Sequence, residues 1–338
     1  MAENVPQVAD KIDSSSNEAA NALLSRLSQI LWAELDSVPE FYDAKPLLAH
    51  YTSIQTLESI FKNRQLWFSN PLYMNDLEEV RFGILEGLSA FMASQSLELA
   101  CGTPQRAALL RQNFKFLFDS FEREHALDTY VFCLSEHVPG NDDGLLSMWR
   151  GYAANGSGAA IVFDTRRLIH NENTPLTLAR VIYASVEKRR KWIIDKIEIL
   201  ASFIRDVPHS DEQLFVPAFA FFERLKLFAL FTKHPGFEEE REWRAVYRPE
   251  RDLNKSFSDM IEYTIGTRGI ENKLKLRLEP IQGLIEDDFT LDKLIHRIIL
   301  GPTLSSPLTR AAVIRMLNRY APTLVERLAT SSIPFRSV

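Results

Sequence analysis

Leu47-Leu48-Ala49-His50-Tyr51 is a short apolar run that reads as a β-strand, and the residues after it decide the fold class. Thr52 or Ser53 stands where a hydroxyl caps a helix, and Ile54, Leu57 and Phe61 then recur at the spacing of one helical face. Leu66-Trp67-Phe68 makes a second strand, closed by Asn70-Pro71. Upstream, Leu23, Leu27, Ile30, Leu31 and Leu35 repeat at helical intervals, and Pro39 and Pro46 punctuate the join to the first strand. The polar residues 1–18 read as a flexible tail.

Downstream the pattern changes character several times. Asn75 or Asp76 opens a long helical stretch, with Glu78 and Glu79 in its first turn, that breaks at Cys101–Pro104 and resumes to Glu124. Tyr130–Leu134, Ala159–Phe163 and Leu176–Tyr183 read as strands, and Val186–Ile204 and Asp211–Phe231 as two long helices. Strands return at Arg241–Tyr247, Ser258–Ile265, Leu274–Leu278 and Ile295–Leu300. A helix over Pro307–Tyr320 and a strand near Thr323–Leu328 come last. Because strands and helices do not alternate one for one, the pattern predicts an α+β fold with a mixed, mainly antiparallel sheet. The organisation expected is one domain over residues 19–338, with helical insertions at 76–126 and 186–231.

Composition bounds the class. Of the 338 residues 46% are hydrophobic and 11% aromatic, enough to fill a core and too many for a disordered chain. A net charge of -6 argues against general binding to nucleic acid or an anionic membrane, which call for a basic surplus. The two cysteines sit in unlike settings, Cys101 in a polar break and Cys133 in an apolar run, which points away from a disulfide framework and towards a reducing compartment. The apolar stretch Leu214–Phe231 is broken by Glu223, Arg224 and Lys226, so it reads as a buried helix. The expected location is the cytoplasm.

Three clusters carry candidate chemistry. In His50-Tyr51-Thr52, strand alternation sends His50 and Tyr51 to opposite faces, and the following helix start offers N–H groups to a phosphate. A core histidine beside a packed aromatic explains the same residues. In Phe237–Arg244, alternation places Glu240, Glu242 and Arg244 on one strand face. Such a face is costly unless it is solvated or lines a polar site, and paired carboxylates can orient sugar hydroxyls or stabilise a cationic centre. An exposed edge with an ion-pair ladder is the plainer account. Trp149 and Tyr152 share a helix face on which a ring can stack, although such pairs are more often core. The chain has no Gly-x-Gly-x-x-Gly fingerprint, no phosphate-binding loop, no Gly-x-Ser-x-Gly elbow and no Cys/His metal spacing. His234 has no further ligands at recognisable spacing, and no metal is expected.

Several of these blocks resemble a bacterial family of unknown function, domain of unknown function 2971. The resemblance is carried by His50-Tyr51-Thr52, Leu66-Trp67-Phe68-Ser69, Met74-Asn75-Asp76 with Glu78, and Cys133-Leu134-Ser135-Glu136. It continues through Ser147–Ala153, Gly158–Asp164, Glu240–Arg244 and Ile299–Pro302. More distantly, the chain is similar to ADP-ribosyltransferases, which implies a split sheet and NAD as a substrate. In that likeness His50 matches the first-strand residue that binds the NAD ribose, Glu242 the catalytic carboxylate, and Glu240 its partner two residues earlier. Tyr73 or Tyr152 matches the aromatic that stacks on nicotinamide; Tyr51, Thr52, Trp149 and Arg244 complete the implied NAD-binding set. The chain lacks the Ser-Thr-Ser motif of that superfamily, and Val186–Phe231 has no counterpart in its minimal fold.

The resemblance implies a mono-ADP-ribosyltransferase or NAD glycohydrolase acting on an unknown protein or nucleic-acid acceptor. Two other classes compete. A protein-interaction module would show no NAD dependence. A metal-dependent nuclease would want a lysine beside its carboxylates, where this strand continues into Arg244.

Overall fold

The computed structural model describes residues 14–33, 45–73, 77–125, 128–168, 174–252, 254–266, 269–280 and 289–335. The expected tail lies outside the described residues as far as residue 13, and residues 14–18 are helical. Helices are α1 (Ser14–Leu31), α2 (Ile54–Asn63), α3 (Leu77–Ala93), α4 (Gln95–Cys101), α5 (Pro104–Ser120) and α6 (Leu146–Gly151). Then come α7 (Val186–Asp206), α8 (Phe215–Leu230), α9 (Leu291–Leu294) and α10 (Pro307–Tyr320). Strands are β1 (Leu47–Thr52), β2 (Gln65–Ser69), β3 (Tyr130–His137), β4 (Ala159–Asp164), β5 (Leu176–Arg180) and β6 (Ile182–Tyr183). They continue with β7 (Thr232–Lys233), β8 (Glu242–Tyr247), β9 (Ile261–Gly266), β10 (Gly269–Arg277), β11 (Ile295–Leu300) and β12 (Leu328–Thr330). The fold is α+β with a mainly antiparallel sheet.

The chain divides into two compact units. One, residues 1–38, 78–126 and 184–232, is mainly helical among its described residues and has an aromatic core. Phe91 stacks on Phe114 with ring centroids 3.9 Å apart, and Trp192 on Phe228 at 3.8 Å. Three of its helix starts are capped from the side chain: Ser94, Thr103 and Ser185 accept from the amides of Leu97, Arg106 and Lys188. The expected break at Cys101–Pro104 is there, with Gly102 in the left-handed region at φ 76°. A second break at Ser94 separates α3 from α4. The Asn75/Asp76 helix start lies outside the described residues.

The other unit, residues 39–77, 127–183 and 233–338, is built on the ten-stranded sheet. One face buries Leu48, Phe68, Phe132, Leu134, Ile161, Trp243, Tyr247, Leu274 and Ile298 in a single apolar cluster. The other face has a small cluster of Ala49, Tyr51, Trp149, Ala160 and Val162; the rest of that face, towards β8 and β10, carries polar side chains. Gly301 lies so close to the loop after α6 that a Cβ there would stand 2.2 Å from the Gly156 carbonyl oxygen, and its own amide donates to Gly158.

Several boundaries differ from expectation: β10 starts at Gly269, not Leu274, and the strand expected over Leu176–Tyr183 is split into β5 and β6. Arg241 takes a left-handed φ of 44°, which closes a 3-10 turn over Pro235–Glu240, so β8 starts at Glu242 and Glu240 is not on the strand. Residues Ser258–Met260 form a 3-10 turn ahead of β9. Pro322 likewise starts a 3-10 turn through Arg327, and the last strand comes after it.

The register reveals how the sheet is laid out around β3. Ser135 pairs with Ala49 of β1 and with Glu242 of β8. Val131 pairs with Ser69 of β2 and with Val246 of β8. A strand has two edges, so β8 occupies one and β1 and β2 share the other. On that shared edge β1 pairs only at residues 135–137 and β2 only at Val131. The sheet therefore forks at β3. One branch runs β1-β4-β11-β12 and the other β2-β10-β9.

Candidate functional site

The mouth of the fork is a cavity of about 250 Å³ within the sheet unit. Its floor is Phe132, Cys133 and Leu134 of β3, where neither branch pairs with the strand. On one side stand His50 and Tyr51 of β1, and on the other Trp67, Ser69 and Tyr73 with Glu271 and Lys273 of β10. Val131, Met148, Tyr152, Glu240 and Glu242 complete the lining.

His50 sits where β1 leaves β3. Its ring stacks on Phe132 with centroids 4.3 Å apart, and its Nδ1 lies 2.9 Å from the Cys133 carbonyl oxygen. A carbonyl can only accept, so the proton is on Nδ1 and Nε2 is an acceptor. Burial pushes this imidazole down to about 4, against the opposing pull of the Cys133 hydrogen bond. The ring is therefore neutral at pH 7, unable to act as a cation but able to accept a hydrogen bond from a hydroxyl.

Glu240 and Glu242 are held by one buried lysine. Lys233 Nζ donates to Glu240 Oε2 at 2.6 Å and to Glu242 Oε2 at 3.2 Å, and lies over the Phe237 ring at 4.6 Å. Arg244 forks onto Glu242, Nε to Oε1 at 2.8 Å and an Nη to Oε2 at 3.0 Å. Burial alone would raise the Glu242 carboxyl, but the charge and hydrogen bonds of Arg244, then the Lys233 charge and a Cys133 hydrogen bond, hold it below its usual value. Tyr152 Oη donates to Glu240 Oε1 at 2.9 Å, and Ser135 Oγ donates to the Glu240 carbonyl. The Glu242 amide donates to the Tyr183 hydroxyl at 2.8 Å. The result is a fixed anionic wall whose counter-charges lie behind it.

Six of the residues proposed from sequence line this cavity: His50, Tyr51, Tyr73, Tyr152, Glu240 and Glu242. Three do not. Thr52 is buried in the β1–β4 ladder opposite Ala159, and Arg244 is buried behind Glu242. Trp149 is fully buried, with its indole N–H on the Asp143 carbonyl at 2.7 Å and its ring edge against Tyr51. The start of α2, expected to offer N–H groups to a phosphate, is capped by its own Ser53, which accepts from Thr56. Residues that sequence reasoning passed over are Lys233, Ser69, Glu271 and Lys273. The period-two polar run Glu271-x-Lys273-x-Lys275 was the available signal for the β10 wall, and Lys233, an ammonium at the end of an apolar helix, was the other.

Residues 148–245 match the profile of a family described as a protein of unknown function, DUF2971. The match covers under a third of the chain, from Met148 in α6 to Ala245 in β8, and so takes in Tyr152, Glu240, Glu242 and Arg244. It supports the DUF2971 likeness over those residues. No curated protein and no solved structure matches the chain. Among the described residues no group of three or more His, Cys, Asp or Glu side chains is placed to hold a metal ion, and no helix is long and apolar enough to cross a membrane. Neither Cys101 nor Cys133 is in a disulfide.

Proposed function

We propose that this chain is an ADP-ribosyltransferase-like enzyme that takes NAD as its substrate and passes ADP-ribose to a macromolecular acceptor. The observation that carries this reading is the fork itself, with a neutral histidine on the first strand and two ion-paired glutamates lining one cavity. At about 250 Å³ the cavity is below the roughly 300–1,000 Å³ of pockets that enclose a whole drug-sized ligand, so it suits one end of a dinucleotide.

The roles follow from chemistry. Breaking the nicotinamide–ribose bond sends the electron pair to nicotinamide, which leaves neutral, while positive charge builds at the ribose carbon. Glu242 is an anion fixed in advance by Arg244 and Lys233, the kind of group that stabilises such a centre without reorganising. His50 Nε2 accepts from a ribose hydroxyl and sets the sugar's position. Glu240, tied to Tyr152 and Lys233, takes the proton that the acceptor's nucleophile loses as it bonds to the ribose carbon. Tyr73 and Tyr152 offer ring faces to nicotinamide.

The test is nicotinamide release from NAD by the purified full chain, with Glu242→Gln and His50→Gln variants shown to be folded by circular dichroism. Saturable turnover that falls by about 100-fold or more in Glu242→Gln is expected, the scale of losing one preorganised electrostatic group. Absence of any saturable binding at millimolar NAD would overturn the reading.

A further inference from the structure

Among the described residues that line the cavity, Lys273 is the sole lysine or arginine. It stands directly opposite Ser69 in the β10–β2 register, so the two side chains share a face. Its Nζ lies 3.1 Å from Ser69 Oγ and 3.2 Å from Glu271 Oε2. An ammonium has three N–H donors, and these two neighbours hold two of them, which aims the head of an otherwise flexible side chain. Of the ion pair, Lys273 is the more exposed side chain, 17% against 12% for Glu271.

The cavity thus has Glu240 and Glu242 on one wall and, on the other, the Lys273 ammonium held by Ser69 and the Glu271 carboxylate. A ligand that matches carries a cationic group at one end, hydroxyls between, and an anion at the other. We infer that Lys273 binds a phosphate of the substrate, so that the unit recognised is a nicotinamide mononucleotide moiety, pyridinium towards the glutamates and phosphate on Lys273. This inference rests on the NAD reading above and adds to it the phosphate as a recognised group. Ser69 and Glu271 are positioning residues that act through the lysine.

Nicotinamide mononucleotide and nicotinamide riboside differ only in that phosphate, so their dissociation constants, measured by calorimetry on the full chain, isolate it. The mononucleotide should bind about 10- to 100-fold tighter, as one charge-assisted contact provides, with the preference shrinking as salt rises. Lys273→Met should bring the mononucleotide to the riboside's affinity and leave the riboside unchanged, while Lys273→Arg keeps most of the preference. Equal affinity of the two ligands for the unmodified protein, or a preference that survives in Lys273→Met, would overturn the phosphate site and leave the NAD reading standing. If neither ligand binds, both fall. The ratio in the unmodified protein decides the question even if a variant does not fold.

Discussion

Replacing Lys233 with methionine removes the one ammonium that two buried glutamates share. Its side chain is 1% exposed, those of Glu240 and Glu242 are 12% and 6%, and the contacts are 2.6 and 3.2 Å. Methionine fills much of the volume, so the loss is almost purely electrostatic. Breaking a buried pair by deleting one partner costs about 3–5 kcal/mol, because the remaining charge stays desolvated. Here Arg244 still covers Glu242, and Tyr152 still donates to Glu240, so the lower half of that range is the better figure.

The pH dependence gives the sharper test. In the unmodified protein the Glu242 pKa is depressed, so its stabilisation is present above the unfolded value and is lost as pH falls through the folded one. Without Lys233, two close carboxylates repel and one holds its proton to higher pH. That group destabilises the variant above its unfolded pKa, and acid relieves the penalty. Urea unfolding at pH 7 and pH 5 should therefore show the difference between the two proteins narrowing at pH 5, with similar m-values. A loss under about 1 kcal/mol at pH 7, or an equal loss at both pH values, would refute the account; the lower bound is the scale of exposed pairs.

Other consequences are as direct. His50, held neutral with a pKa of about 4, should show a ¹⁵N titration well below 5; its low folded value means stability declines by about 3 kcal/mol as pH falls from about 6.5 to 4, and a midpoint above 6 would contradict its burial. Ser135→Ala removes a buried donor 2.6 Å from the Glu240 carbonyl and should cost about 1 kcal/mol in urea unfolding; no measurable change would mean that Arg241 alone holds the turn. Trp149→Phe should lower stability by about 1–3 kcal/mol through lost packing and the lost Asp143 bond, while leaving the affinity of any cavity ligand unaltered. Tyr73→Ala should do the reverse, weakening ligand binding in calorimetry while changing stability little, since Tyr73 is half-buried in the lining.

Much of the fold is legible in the sequence because its signals are local. Ile295–Leu300 and Pro307–Tyr320 have the boundaries that the sequence predicts, the first from a solid apolar run and the second from proline at the helix start after Ser306. The errors arise where a local rule is overridden. The Glu240–Arg244 alternation looks like one strand face, but the left-handed Arg241 puts Glu240 in a turn, and the two carboxylates meet through Lys233 instead of through the pleat. Trp149 and Tyr152, three apart on one helical face in the sequence, part company because Tyr152 falls after α6 and reaches Glu240, while Trp149 is swallowed by the core.

By itself the sequence marked most of the strands and helices and six of the residues that line the cavity, since polarity, side-chain branching and hydrophobic period act within a few residues of the chain. Tertiary structure alone decided that β1 and β2 compete for one edge of β3. That competition is a matter of register between strands about 80 and about 60 residues from β3, and register is set by packing across the whole sheet, not by any one segment. The cavity, the neutral state of His50 and the opposition of Lys273 to the glutamates all descend from it.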